Sequence, residues 1–118
     1  MVAMPLQTVA EVPEYLKRAA RLLSQAERDA VVLHLSVNPK AGDLMQGTGG
    51  VRKLRWAALN KGKSGGVRVI YYYHSDRIPL YLLTVFAKNE RANLSQQERS
   101  DLKELTTLLK QQATANHE

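Results

Sequence analysis

The sequence contains no cysteine, so disulfide bonds, thiolate nucleophiles and zinc sites built on thiolates are excluded. Aromatic residues are few, with one Trp, one Phe and five Tyr, so a core must consist mainly of Leu, Val, Ile and Ala. No apolar run approaches the roughly 20 residues that a membrane-spanning helix needs. Residues 1–5 lack the charged and apolar regions of a secretion signal. We therefore expect a cytoplasmic protein with no membrane partner.

Length and composition predict a single folded unit. In a chain of 118 residues, a second independent core would leave each half near the lower limit of domain stability. Hydrophobic residues make up 44% of the sequence, which is enough for one core. The sequence shows no internal repeat, low-complexity tract or linker. We expect one domain over residues 1–118, with flexible ends at residues 1–5 and 111–118.

Acidic residues are absent between Asp43 and Asp76. The whole chain has 17 Lys and Arg against 11 Asp and Glu, a formal net charge of +6. The basic residues of this acid-free stretch account for the entire excess, and they are Arg52, Lys53, Arg55, Lys61, Lys63 and Arg68. Such a segment attracts polyanions, because each phosphate that it neutralises releases condensed counterions. The alternative interpretation is a solvated face that only keeps the protein soluble.

Apolar residues at three- and four-residue spacing predict three helices. The first covers residues 12–23. The segment Ser24-Gln25-Ala26-Glu27 is a capping box, in which the serine and glutamate side chains bond free amides at a helix start. A second helix should therefore begin there and end near Val37, just before Asn38-Pro39. A further capping box at residues 95–98 predicts a C-terminal helix.

Strand patterns occupy the region between the second and third helices. Residues 51–57 alternate, so that Lys53 and Arg55 face away from Leu54 and Trp56. Residues 67–74 are rich in β-branched and aromatic side chains, and residues 78–87 are typical of a central strand covered on both faces. Residues 6–9 are able to form a short edge strand. The predicted fold is α+β, with two N-terminal helices, a mostly antiparallel sheet of three to four strands and a C-terminal helix.

Pairing of consecutive strands predicts a concave, positively charged surface. It would bring Lys53, Arg55 and Arg68 together, because neighbouring strands lie ~5 Å apart. Tyr71, Tyr72 and Tyr73 lie beside this surface, where a tyrosine can stack on an unpaired base. Since successive side chains alternate, at least one of the three must belong to the core. Tyr71 is our candidate for stacking.

The glycine-rich segments and the histidines do not match cofactor or metal sites. Neither residues 47–50 nor residues 62–66 have the GxxxxGK[ST] spacing of a phosphate-binding loop, which argues against nucleotide hydrolysis. His34, His74 and His117 are dispersed, without the paired spacing that a metal site needs. We therefore expect no cofactor and no metal.

Three motifs, in this order along the chain, resemble the RelE/HigB toxins of bacterial type II toxin–antitoxin modules. They are GTGGVRKLR at residues 47–55, KGKSGGVRVIYY at residues 61–72 and LLTVFAKNE at residues 82–90. The resemblance covers most of residues 35–109 and is closest to the HigB branch, which has a long basic loop and an uninterrupted KNE sequence. It implies two N-terminal helices packed on a curved antiparallel sheet, in agreement with the patterns above.

The resemblance also implies a function. It implies a cytoplasmic endoribonuclease, or mRNA interferase, that enters the ribosomal A site, cuts messenger RNA and so inhibits translation. Cleavage in this family needs no metal, because the 2′-hydroxyl of the RNA attacks the adjacent phosphorus and leaves a cyclic phosphate and a free 5′-hydroxyl. The implied partners are a cognate antitoxin protein, the ribosome and messenger RNA, with operator DNA bound only through the antitoxin complex.

Matching motif to motif, the resemblance implies roles for individual residues. The reaction needs a group that takes the 2′ proton, one that stabilises the phosphorane and one that protonates the leaving oxygen. Lys53 would be the base, Arg68 the phosphate stabiliser and Lys88 the acid or a second stabiliser. The catalytic candidates are Lys53, Arg55, Arg68 and Lys88, and the candidates for RNA or ribosome binding are Arg52, Lys61, Lys63, Tyr71, Asn89 and Arg91.

Two alternatives from other functional classes stay open. A ParE-like toxin poisons DNA gyrase on a related fold without hydrolysing nucleic acid, although such chains generally lack this basic set. An inactive relative would bind only its antitoxin and DNA. Primer extension on translated messages separates messenger-RNA cleavage from gyrase poisoning. Codon-linked cuts support cleavage, and gyrase-dependent DNA breaks without RNA cuts support poisoning. Growth arrest on expression would exclude the inactive relative.

The sequence places Arg68 on an exposed surface, which makes a testable prediction. Arg68→Ala should abolish RNA cutting with little loss of stability, because an exposed arginine contributes little to folding. RNA cleavage and toxicity, measured together with the midpoint of thermal unfolding, check both halves of this expectation. Equal toxicity of the variant and the parent would contradict it.

Overall fold

The computed structural model describes residues 6–58, 66–91 and 93–116. In chain order the elements are β1 (Val9–Glu11), α1 (Pro13–Leu22), α2 (Gln25–Val37), β2 (Asp43–Leu44), β3 (Val51–Trp56), β4 (Val67–Tyr72), β5 (Leu80–Ala87) and α3 (Gln96–Asn116). The strands form one sheet in the order β1-β5-β4-β3-β2. The predicted α+β class is confirmed. The sheet has five strands rather than three or four, because the two-residue strand β2 is too short to show an alternating pattern.

Capping boxes begin α2 and α3 where the sequence predicts them. The Ser24 hydroxyl accepts a hydrogen bond from the Glu27 amide at 3.1 Å, and the Glu27 carboxylate accepts one from the Ser24 amide at 2.9 Å. The same two bonds join Ser95 and Glu98, at 3.1 and 2.8 Å. α3 continues to Asn116, so the helix includes residues 111–116, for which the sequence predicted a flexible end.

Three antiparallel strands form the centre of the sheet. β4 lies between β3 and β5, and all 6 of its residues are buried. At one edge β2 pairs antiparallel to β3, and at the other edge β1 pairs parallel to β5. The edge strand predicted over residues 6–9 therefore begins later, at Val9, where the chain comes alongside β5. The sheet is mixed, with a single parallel pair among those described.

Both faces of the sheet are covered by helices. On one face α1 and α2 pack against a core that includes Leu54, Val69 and Tyr71, which we call the α1–α2 face. On the other face α3 packs against residues that include Ile70 and Phe86, which we call the α3 face. In the part of the chain that the structure describes, no helix combines the length and hydropathy required to cross a membrane.

α3 is held on the sheet at the turn that precedes β3. Thr106 is 2% exposed, and its hydroxyl lies between two carbonyl acceptors, that of Lys103 in the same helix at 2.9 Å and that of Thr48 at 3.2 Å. Gly49 lies directly beneath the helix, because a Cβ atom at this position would be 2.5 Å from the Thr106 hydroxyl oxygen. By contrast Leu108, on the same helix, is 58% exposed. Gly49 therefore allows α3 to approach the turn closely at Thr106.

Gly49→Ala should loosen α3, with Gly47→Ala as a matched control. Both glycines have positive φ angles, 78° and 75°, so each alanine should cost about 1–2 kcal/mol of backbone strain. Only the Gly49 variant also places a methyl group against Thr106, since nothing lies within 4 Å of a Cβ atom at Gly47. We expect Gly49→Ala to lose more of the free energy of unfolding than Gly47→Ala, measured by urea denaturation. Equal losses would show that α3 does not depend on this contact.

Candidate nucleic-acid interface

The register of β3 and β4 gathers basic side chains on the α3 face. Arg55 pairs with Arg68, and Lys53 pairs with Ile70. Because alternate residues share a face, Lys53 and Arg55 lie on the same side of β3. Cβ atoms of directly opposed residues in an antiparallel pair are ~4.5–5.5 Å apart, so the two arginines start from adjacent positions. The three basic residues share one face, as the alternation in the sequence predicts.

These three side chains differ in exposure. Arg55 is exposed and Lys53 is half-buried. Arg68 is only 9% exposed, and its Nη1 donates a hydrogen bond to the Val67 carbonyl at 3.2 Å. The prediction that Arg68 is exposed is wrong, because its strand is the central one of the sheet and has neighbours on both sides. Its replacement must therefore affect folding as well as any activity.

The line of side chains continues onto β5. Phe86 pairs with Arg68 across the β4–β5 ladder. The Cζ atom of Arg91 lies 4.7 Å from the centroid of the Phe86 ring, which is a cation–π contact. Arg55, Arg68, Phe86 and Arg91 thus follow one another across the sheet, and we call these four residues the arginine row. The row contains three guanidinium groups and one aromatic ring.

Lys88 lies at one end of this face, in the exposed turn after β5. Its amide donates a hydrogen bond to the Gly66 carbonyl at 3.1 Å, which extends the β4–β5 pairing beyond the strands. The turn is closed by Glu90, whose carboxylate accepts a hydrogen bond from the Ala87 amide at 3.0 Å. Glu90 also lies 3.9 Å from the Arg21 guanidinium of α1. These contacts fix the backbone of Lys88 two residues along the strands from the Arg68–Phe86 pair.

Arg91 binds the carboxylate of Glu98. Its Nη1 is 2.7 Å from both carboxylate oxygens, and Glu98 also accepts the capping hydrogen bond from the Ser95 amide. The Ser95 amide and the Arg91 guanidinium hold the pKa of Glu98 below its usual range. The side chains of Arg91 and Glu98 are 33% and 38% exposed, so solvent screens the pair. Arg91 therefore joins the arginine row to the beginning of α3.

Arg52 and Tyr71, two predicted RNA-binding residues, lie on the α1–α2 face, where they pair with each other. Tyr71 is 0% exposed, and its hydroxyl accepts a hydrogen bond from the Gly42 amide and donates one to the Pro39 carbonyl, both at 2.8 Å. Arg52 donates to the Gly42 carbonyl at 2.8 Å. The prediction that Tyr71 stacks on a base is wrong, because its ring is enclosed in the core. Both side chains fasten the chain segment before β2.

Tyr72 and Tyr73 offer no open stacking surface either. Tyr72 faces α3 but is 1% exposed, and burial raises the pKa of its hydroxyl to about 12. Tyr73 is half-buried and packs against the core of the α1–α2 face. The exposed ring in this region is His74, which stacks on Tyr72 at a centroid distance of 6.3 Å. Among the described residues, this surface therefore presents more cationic side chains than exposed aromatic rings.

The remaining predicted residues are Asn89, Lys61 and Lys63. Asn89 is exposed beside Lys88 in the turn after β5. Lys61 and Lys63 lie outside the described residues. Within residues 6–58, 66–91 and 93–116, no three His, Asp or Glu side chains lie close enough to hold a metal ion together.

Comparisons with known proteins agree with this architecture. Residues 15–117 match the family model described as the RelE toxin of the RelE / RelB toxin-antitoxin system. Among solved structures, the chain is similar to a double arginine-to-alanine mutant of the E. coli toxin RelE in the free state. The two chains are 15% identical with a TM-score of 0.52, and the match covers 74% of this chain and 87% of that one. At this identity the structural similarity shows the fold alone.

Because Arg68 is buried, we expect its replacement to destabilise the protein, contrary to the expectation from sequence that stability changes little. Arg68→Ala should lower the free energy of unfolding by about 1–3 kcal/mol, because it removes a buried side chain that bonds a backbone carbonyl. Arg55→Ala should change it by less than about 0.5 kcal/mol, because Arg55 is exposed and its loss relieves like-charge repulsion. Urea unfolding of both variants checks this, and similar losses would contradict it.

Proposed function

Because this chain belongs to the RelE toxin family of toxin–antitoxin systems, we propose that it is an endoribonuclease that cleaves messenger RNA on the ribosome. Membership of the family implies an antitoxin protein as partner. The ribosome, the messenger RNA and the cleavage reaction belong to the proposal. It is supported by the charge arrangement of the α3 face, which is suited to holding a phosphodiester.

The opposed pair of Arg55 and Arg68 is the observation that carries this proposal. Like charges directly opposite each other in a sheet destabilise it by up to ~1 kcal/mol. Arg68 is the less exposed of the two, so water screens its charge less than that of Arg55. Local arrangements that oppose folding are expected at functional sites. A ligand that brings negative charge to this face, such as an RNA phosphate, offsets the repulsion.

The proposed reaction is attack of the RNA 2′-hydroxyl on the adjacent phosphorus, with breakage of the bond to the 5′ oxygen. Arg68 suits stabilisation of the phosphorane, because its guanidinium stays protonated and presents a planar set of donors. Its low exposure strengthens the attraction, since partial burial reduces screening by water. Arg55 is placed to clamp the same phosphate from the neighbouring strand.

Proton transfer is assigned to the two lysines of the same region. Lys53 is the proposed base, two residues from Arg55 on the same face of β3. Lys88 is the proposed acid for the 5′ oxygen or a second stabiliser of charge, at the fixed turn after β5. Their positions on either side of the Arg55–Arg68 pair suit opposite ends of the reacting phosphodiester. General acid–base catalysis of this kind typically contributes 10²–10⁴-fold to a rate.

The kinds of side chain on the described surface support dependence on the ribosome. Cationic side chains bind the phosphate backbone without regard to sequence, whereas stacking on aromatic rings holds unpaired bases. Tyr71 and Tyr72 are buried and so do not hold bases. A ribosome that already fixes the message in the A site would supply this positioning. Lys61, Lys63 and Asn89 are proposed to contact the RNA backbone or the ribosome.

Arg68→Lys tests the proposed role of the guanidinium while keeping its charge. Lysine lacks the planar fork, so we expect RNA cutting to fall by about 10²–10³-fold. Arg77→Lys is the matched control, because Arg77 is exposed in the turn between β4 and β5. The measurement is primer extension on messages from a translating extract and from one without ribosomes.

Three results would count against the proposal. Parent-like cutting by Arg68→Lys would remove the assigned role of the guanidinium. Equal cutting with and without ribosomes would remove the ribosome dependence. DNA breaks that require gyrase, with no RNA cuts, would replace the nuclease with a gyrase poison.

A further inference from the structure

Arg91 and Glu98 form an ion pair at the end of the arginine row that the proposed reaction does not use. The guanidinium Nη1 bonds both carboxylate oxygens at 2.7 Å, so the arginine engages the whole carboxylate group. Phe86 supports the same guanidinium from the side of the sheet. This acid therefore lies on a face where the proposed ligand is itself an anion.

A carboxylate and a phosphodiester present the same recognition chemistry to arginine. Each offers two oxygens with shared negative charge, and arginine binds both groups through paired N–H donors. Glu98 consequently occupies Nη1 of Arg91, one of the donors that would bind an RNA phosphate. A phosphate that binds Nη1 has to displace the carboxylate.

The surroundings of the pair permit such an exchange. Both side chains are about one-third exposed, and exposed ion pairs are typically weak. Both also line a cavity of about 270 Å³, which gives space beside the guanidinium. Its other charged lining residues are Arg18, Glu14 and Asp101. The contact between Arg91 and Phe86 does not involve Glu98, so the ring keeps Arg91 on the row when the carboxylate leaves.

We infer that Glu98 is a built-in counter-ion that competes with RNA phosphate for Arg91 and thereby sets the RNA affinity of the arginine row. Glu98 is a positioning residue in this account, since it acts through Arg91 and does not touch the reacting atoms. The inference rests on the proposed function, because it takes RNA as the ligand of this face. It adds an element of regulation to the same surface.

The capping box allows a variant that removes the charge of Glu98 and keeps its helix cap. Glutamine is also favoured at the third position of a capping box, so Glu98→Gln keeps an oxygen for the Ser95 amide while removing the charge on Arg91. Glu104→Gln is the matched control, because it makes the same charge change at an exposed position of the same helix. Circular dichroism and thermal unfolding should show that both variants keep the parent fold.

The experiment measures binding of the full-length protein to a short single-stranded RNA whose 2′-hydroxyls are methylated, which prevents cleavage. Glu98→Gln should bind about two- to fivefold more tightly than the parent at low salt, the change expected for loss of an exposed ion pair. The slope of log affinity against log salt should steepen by about 0.7, because one more phosphate is neutralised on a single strand. Glu104→Gln should leave that slope at the parent value.

A double-mutant cycle tests whether the effect passes through Arg91. Arg91→Ala should weaken binding, and Glu98→Gln added to Arg91→Ala should cause no further gain. An unchanged slope in Glu98→Gln, or a gain that persists without Arg91, would overturn the inference. Absence of RNA binding by both parent and Glu98→Gln would overturn it as well.

The failure of this inference can be told apart from the failure of the proposed function. Cleavage on the ribosome is measured with the parent protein alone, whereas the counter-ion effect is measured with an RNA that is not cut. Cutting by the parent together with an unchanged Glu98→Gln slope removes only the counter-ion. A steeper slope in the variant together with no cutting by the parent removes only the nuclease.

Discussion

The antiparallel register of β3, β4 and β5 is the constraint on which the candidate site depends. It sets Arg55 opposite Arg68 and Arg68 opposite Phe86, and Arg91 contacts the ring of Phe86. A slip of one residue in β4 would turn Arg68 towards the apolar α1–α2 face. Val69 and Ile70 prevent such a slip, because each belongs to the core on its own side of the sheet. The two hydrophobic cores thus determine where the positive charge lies.

The features that could be predicted from the sequence are those whose causes are local. A capping box holds both of its partners within four residues, so α2 and α3 begin where Ser24 and Ser95 indicate. The common face of Lys53 and Arg55 follows from alternation within a single strand. The motifs around β3, β4 and β5 were also sufficient to indicate the family that the match over residues 15–117 confirms.

The features that could not be predicted depend on which strand is central and on what covers each face. Alternation of polar and apolar residues identifies the solvent-exposed face of a strand only when the other face alone is buried. β4 is buried on both faces. The sequence pattern therefore predicts Tyr71 and Arg68 on an open face, although the other residues of β4 are all β-branched or aromatic, as is typical of a strand covered on both faces. The hydrogen bonds of Tyr71 to Gly42 and Pro39 join residues far apart in sequence, and no local pattern indicates them.

The arginine row shows how a fold can hold three like charges close together before a ligand arrives. At one end Arg55 is exposed, so water screens its charge. In the middle Arg68 is buried and pairs with Phe86, whose neutral ring presents an electron-rich face to Arg91. At the far end the carboxylate that caps α3 also neutralises Arg91. Because the same acid serves both the helix and the row, the covering of this face by α3 and the charge of the face are physically linked.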